Sequence, residues 1–217
     1  MSTNPILTVE VLHDALSELG ALVSAEGKVI EVAVYGGSAL LLASNFRIAT
    51  RDVDAVADDE GQPVIERLAG EIASRRGWSA DWLNDQVYPF LSDTIEGLDA
   101  HHSLLRSYPS EQEPGIRIFV PTAEYLLAMK LMAMRIGSTH GAKDRDDIVN
   151  LMDVVGLMTV EDTLAFIGGF YPEARVSQHV LSGLTELFGD KSFPKEDVSD
   201  VAPTYLGRSR QTHRGGR

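Results

Sequence analysis

A β-branched run of alternating character, VIEVAVY over residues 29–35, passes directly into Gly36-Gly37-Ser38, and two aspartates one residue apart, Asp52 and Asp54, follow downstream. The alternation predicts a strand, the glycines a tight turn at its end, and Ser38 a cap for a short helix written ALLLAS. Residues 52–57 (DVDAVA) predict a second strand. Residues i and i+2 of a strand share a face, so Asp52 and Asp54 would stand together while Val53 and Val56 serve the core. If the two strands pair, the glycine turn sits beside the carboxylates. A turn whose backbone N–H groups are open to an anion would then adjoin two hard oxygen ligands of the kind magnesium takes.

The remaining periodicity predicts a mixed architecture. Residues 8–26 place Val11, Leu12, Ala15, Leu16, Leu19, Leu22 and Val23 at helical spacing, and a further helix is predicted over 64–76. WSADWLNDQVYPFLSD reads as short helical turns or loop, with Asn84 and Asp85 in a turn and Trp78 and Trp82 used for packing. GIRIFV, residues 115–120, predicts a strand closed by Pro121. From Thr122 onward the period is helical, with segments opening at 122, at 144–155, at 160–170 and at 174–188. Strands interleaved with helices, then a run of helices, define an α+β fold. His101-His102 has no third ligand at useful spacing and reads as a surface pair.

Composition narrows the function classes. With 44% hydrophobic and 24% charged residues among 217, the chain is an ordinary globular one. The absence of cysteine excludes disulfides and thiolate-bound zinc. No basic flank precedes an apolar N-terminal run, and no apolar stretch approaches the length of a membrane span, so a cytoplasmic protein with no membrane partner is expected. A net charge of −13 argues against a broad nucleic-acid-binding face. The closing RSRQTHRGGR, with Arg208, Arg210, Arg214 and Arg217 and no acid, is the local counter-example.

Gly37-Ser38 followed by Asp52-Val53-Asp54 resembles the signature of the nucleotidyltransferase superfamily, a Gly-Ser turn and then Asp-x-Asp or Asp-x-Glu. GGSALLL…FRIATRDVDAV is similar to the AbiEii type, the bacterial nucleotidyltransferase toxins of type IV systems and their relatives. Downstream, Lys130-Leu-Met-Ala-Met-Arg135 and the segment beginning Lys143-Asp144, with Asp146 and Asp147, resemble that type's Lys-Leu-x-Ala-x-Arg and Asp-x-x-Asp segments. WLND at 82–85 is similar as well, and the resemblance spans residues 35 to 155. One departure is that GIRIFVP carries no acid, where many superfamily members place a third carboxylate.

The resemblance implies a nucleotidyltransferase-type core over residues 1–120, a small mixed sheet flanked by helices. A helical part over 121–190 would complete the site, and 191–217 would be a tail. It implies a magnesium-dependent enzyme, with manganese as the alternative ion, that transfers a nucleoside monophosphate from an NTP to an acceptor hydroxyl and releases pyrophosphate. Asp52 and Asp54 would hold the metal. Gly36, Gly37 and Ser38, with Arg47 and Thr50, would hold phosphates; the alternative for Arg47, Thr50 and Arg51 is pairing with the excess of acids. Lys130 would neutralise the triphosphate, and Asp147 would act as base or orient Lys130. The acceptor would be RNA, tRNA-like at its end, or a protein, with an antitoxin protein as partner if the chain is the toxin of a toxin–antitoxin pair. Two other readings stand beside this one: a catalytically silent fold that binds a partner or nucleotide, and a transferase that modifies a small molecule such as an antibiotic. A Walker-type phosphate loop is excluded because GGSALLLAS lacks the Gly-Lys-Ser/Thr end. The haloacid dehalogenase type is set aside because RIATR is no buried apolar strand.

Overall fold

The computed structural model describes residues 4–95, 98, 100–134 and 141–189. Arg135 and the 191–217 tail, both singled out from the sequence, lie outside the described residues. β1 (Ile30–Val34) pairs antiparallel with β2 (Val53–Ala57), and β2 pairs with the two-residue β3 (Leu83–Asn84). On the other side β1 runs parallel to β5 (Ile116–Pro121), which pairs antiparallel with β4 (His102–Tyr108). The sheet is therefore mixed and ordered β3-β2-β1-β5-β4. Its middle strand is buried except at Glu31, which faces Arg117 directly across β5 at 3.7 Å.

Helices cover the sheet. α1 (Val9–Ala25) is capped by the Thr8 side chain, which accepts from the Val11 N–H, and it buries Leu12, Leu16, Leu19 and Val23. α3 (Gln62–Arg76) has Pro63 in its first turn and ends on Gly77 in the left-handed region. The two pack together, and Glu18 bridges Arg75 and Arg76 at 3.1 and 2.7 Å. Between β1 and β2 the chain forms α2 (Gly36–Ala43). After β5 come α4 (Ala123–Met132), capped by Thr122, then α5 (Gly141–Val155), α6 (Val160–Gly168) and α7 (Gln178–Gly189). α4 lies against β5 and in turn carries α5 and α6. One buried core joins these helices to the sheet, from Leu7 and Leu12 to Leu184 and Leu187. The expected α+β architecture is the one observed. No helix among the described residues is long and apolar enough to cross a membrane.

Three expectations are corrected. β2 begins at Val53, leaving Asp52 just outside it, and Val53 and Ala55 are the fully buried pair. Val56 shares the face of Asp54, so Ala55 takes the core position expected of Val56. β4 was not anticipated from the sequence. The two histidines at its start are half-buried rather than on the surface: His102 Nε2 lies 2.9 Å from the Tyr35 hydroxyl, and both rings pack on Tyr125. The packing reading of the tryptophans holds, with Trp82 fully buried and its indole N–H donating to the Ala69 carbonyl.

α1 approaches the sheet so closely that glycine is required at the crossing. A Cβ on Gly115 would stand 1.8 Å from the Gly20 carbonyl oxygen, and one on Gly20 would stand 2.4 Å from that of Tyr108. Gly70, inside α3, has nothing within 4 Å of where its Cβ would be. Gly115→Ala is expected to cost about 3 kcal/mol or more through backbone displacement. Gly70→Ala is expected to stabilise by about 0.5–1 kcal/mol through helix propensity. Urea unfolding of the two variants checks both signs.

Burial holds the His102 imidazole down at a pKa of about 4. The unfolded chain therefore takes up this proton first, and the stability that the neutral ring contributes is lost as pH falls from about 6.5 towards about 4. His102→Gln is expected to flatten the stability–pH curve in that window, read by thermal melts between pH 4 and pH 7.

Candidate active site

A cleft of about 800 Å³ opens where β1 ends and β2 begins, floored by Gly36, Gly37, Asp52 and Asp54. Pairing of the two strands makes this junction. Val34 lies opposite Ala55, and the Tyr35 N–H donates to the Asp54 carbonyl at 2.8 Å, so the first residue of α2 is brought against the Asp54 side chain. Gly36 has φ 61°, and a Cβ there would stand 2.2 Å from Asp54 Oδ2. Glycine is thus required both by backbone conformation and by the approach of the carboxylate.

Tyr35, not Ser38, occupies the N-cap position of α2, and no side chain caps the helix. Its first-turn N–H groups have no intrahelical acceptor. The Ser38 hydroxyl is buried and donates to the Tyr35 carbonyl at 2.8 Å. What the turn presents to the cleft is therefore Gly36 and Gly37. A methyl group on Gly37 would lie 3.3 Å from Thr50 Oγ1 and 3.4 Å from Arg47 Nη1, which places both side chains beside the turn.

The polar wall is organised around one carboxylate. Asp147, on α5 and only 3% exposed, accepts from Arg47 Nε at 2.9 Å and from Arg47 Nη2 at 2.6 Å, and Lys130 Nζ on α4 lies 2.6 Å from its Oδ2. These bonds hold the Arg47 pKa above its ordinary value. Asp144, one turn earlier and more exposed, stands 3.8 Å from Lys130 and 3.9 Å from Arg47. Thr50 is pinned by backbone bonds to Leu7 and turns its hydroxyl to the Asp52 carbonyl at 3.2 Å.

Asp54 has the opposite environment. Burial, then the neighbouring Asp52 charge, raises its pKa to about 6; Asp144 adds to the rise and Lys130 opposes it. A pair of hard oxygen donors, Asp52 exposed and Asp54 half-buried, fits a divalent cation that would relieve their repulsion. Among the described residues no group of three or more His, Cys, Asp or Glu side chains could hold a metal. A cation that keeps most of its shell as water and phosphate oxygens, as magnesium does, needs only one or two protein carboxylates, and Asp52 and Asp54 meet that requirement.

Of the residues singled out from the sequence, Gly36, Gly37, Arg47, Thr50, Asp52, Asp54 and Lys130 line the cleft, and Asp147 lies behind it. Arg51, Lys143 and Asp144 line it too. The apolar part of the lining was not anticipated: Val87 and Phe90 from the segment after β3, with Leu126 and Met129 of α4. The only sequence signal for it is an aromatic-rich turn, VYPF, set in a polar loop. Asn84, by contrast, does the work of a turn residue: its side chain donates to the Asp81 carbonyl and accepts from the Gln86 N–H.

No family model matches the chain, and no curated protein matches it. Among solved structures, an antigenic nucleotidyltransferase-like protein from Paracoccidioides brasiliensis is similar, with 16% sequence identity over 90% of this chain and 93% of that one, and a TM-score of 0.43. A likeness at that score bears on neither the site nor its chemistry.

Buried Asp147 and half-buried Asp54 should respond oppositely to neutralisation. Asp147→Ala strands Arg47 and Lys130 without their shared partner and is expected to cost about 3–5 kcal/mol. Asp54→Asn removes a charge the fold disfavours and is expected to stabilise the metal-free protein on the order of 1 kcal/mol at pH 8. Because the Asp54 carboxyl is raised to about 6, wild-type stability from this group is lost as pH rises through that value, so the Asn variant's advantage should vanish at pH 4. Chemical denaturation at the two pH values reads both effects.

Proposed function

We propose that the protein is a magnesium-dependent nucleotidyltransferase, taking a nucleoside triphosphate and an acceptor hydroxyl and releasing pyrophosphate. The observation that carries this reading is the single cleft joining an uncapped helix N-terminus with Gly36 and Gly37, the Asp52 and Asp54 pair, and Lys130. Phosphates need the first, a divalent cation the second, and the charge of a departing pyrophosphate the third. The resemblance of GGS…DVD to the superfamily signature supports the same reading.

Asp52 and Asp54 would hold magnesium, which supplies charge neutralisation at the phosphoryl oxygens when bound. The chain's own residues bind and orient. The open N–H groups of α2 receive phosphate oxygens, and Lys130, with its ammonium fixed by Asp147, places a compact positive charge beside them. Asp147 is buried and committed to two cations, so its part is to orient Lys130 rather than to act as base. In the transfer itself the acceptor oxygen bonds to the α-phosphorus and the bond to the α–β bridging oxygen breaks. The acceptor proton passes to a cleft carboxylate and then to solvent.

An RNA end or a protein hydroxyl is the acceptor class the family resemblance favours, with a role as the toxin of a toxin–antitoxin pair. The second reading is a module that binds nucleotide without transferring it, and the observation in its favour is the lack of an acid on β5.

The test offers each ribonucleoside triphosphate, radiolabelled at the α- or the γ-phosphate, with magnesium, to total RNA, cell protein and small hydroxyl compounds. The expected result is transfer of the α label alone, with pyrophosphate released. Lys130→Ala is expected to lower the rate about 100- to 1000-fold, by analogy with loss of one preorganised charge donor, and Asp54→Ala to abolish transfer. Nucleotide binding without transfer to any acceptor would instead select the binding module.

A further inference from the structure

We infer that the segment carrying Val87 and Phe90 is the wall against which the nucleobase lies, and that Tyr171 and Arg175 are positioning residues that hold it there. The inference rests on the nucleotide reading above and adds which part of the ligand the apolar wall takes and what fixes that wall.

The segment is a loop with little regular structure of its own: a 3-10 turn at Tyr88–Phe90 follows the two-residue β3. Three consecutive carbonyls in it, from Pro89 to Leu91, are nevertheless each bound by a side chain more than 80 residues later. Arg175 donates to Pro89 O at 2.7 Å and to Leu91 O at 2.8 Å, and the Tyr171 hydroxyl donates to Phe90 O at 2.6 Å. Arg175 also pairs with Asp93 at 3.1 Å and lies over the Tyr171 ring at 5.1 Å. The next turn is tied in the same direction, with the Ser92 and Thr94 hydroxyls donating to the Phe170 carbonyl. Tyr171 is 1% exposed. The guanidinium fork and a buried phenol therefore hold a backbone that neighbouring strands do not.

What is held in this way faces the cleft. Phe90 is half-buried and, with Val87, lines the same cleft as Gly36, Gly37, Asp54 and Lys130. The cleft is thus lined by charged and by apolar groups together. A triphosphate matches the charged groups; the flat face of the base that a nucleotide carries beyond its ribose matches the apolar ones. Stacking of a base on an aromatic ring contributes about 1–3 kcal/mol, which corresponds to about 5- to 150-fold in affinity.

The experiment compares two probes on the full chain with magnesium: the four ribonucleoside triphosphates, and inorganic tripolyphosphate, which has the charge but no base. Affinity is measured by calorimetry for wild type, Phe90→Ala, Arg175→Ala and Arg175→Lys, with hydrogen exchange of the loop read in parallel. Phe90→Ala should weaken nucleotide binding about tenfold or more and leave tripolyphosphate binding unchanged. Arg175→Ala should do the same while speeding exchange at residues 88–92, and Arg175→Lys should restore part of the affinity. Equal effects on both probes, or no effect of Phe90→Ala on nucleotide binding, would overturn the inference and leave the nucleotide reading standing. Failure of wild type to bind either probe would overturn both. Phe90 is only half-buried, so its variant keeps the test open if Arg175→Ala does not fold.

Discussion

The arrangement depends on one buried carboxylate. Asp147 gathers Arg47 from the loop after α2, Lys130 from α4 and its own helix α5 into a single ionic knot. Two of its three short contacts join segments a hundred residues apart in sequence, and the third ties α5 to α4. Burying three charges is costly, and such a group adds little net stability over an apolar replacement. Its effect is on geometry: with both Asp147 oxygens used, Arg47 and Lys130 have one low-energy placement each, at the edge of the cleft. The same knot explains why the cleft has a defined polar wall although α5 and the strand loops share no backbone pairing.

Asp147 and Asp54 are placed in opposite environments. Asp147 has two cations in contact, and its charge is satisfied inside the fold. Asp54 is held against a glycine backbone, partly buried, with a second acid as neighbour, and its pKa is displaced upward to about 6. Nothing in the folding of β2 requires that displacement. A polar residue at that position with no adjacent acid would pair just as well with Tyr35 through the backbone. A local arrangement that the fold disfavours, placed at the floor of the cleft, is consistent with the metal-holding role proposed for Asp54.

Legibility from sequence followed the range of the interactions. β1, the glycine turn and β2 were readable because alternation and turn chemistry act over a few residues. α1 and α3 were readable because each buries one periodic face, and α4, buried on nearly all sides, because Thr122 opens it directly after the strand that ends at Pro121. β4 was not, since HSLLRSY presents exposed positions at Ser103, Leu104 and Arg106 and is defined by its partner β5 rather than by its own pattern. The same holds for the histidines, whose burial comes from Tyr35, Tyr125 and Phe170, and for Ser38, whose hydroxyl is captured by the residue three positions earlier. Within the site, the acid pair and glycine turn were visible as a motif, whereas the Arg47–Asp147 bond and the apolar wall exist only once distant elements have docked.

The helices after β5 then have a role beyond covering the sheet. α4 contributes Lys130, Leu126 and Met129 to the cleft, so a single helix carries charged and apolar lining together. α5 fixes Lys130 through Asp147. The stretch between α6 and α7 fixes the segment of Val87 and Phe90 through Tyr171 and Arg175. The sheet supplies the floor, but the width and chemical polarity of the cleft are set by the helical half. A change in how that half packs on β5 would therefore alter the lining of the cleft before it altered the Asp52 and Asp54 pair, because those acids sit where β1 and β2 meet.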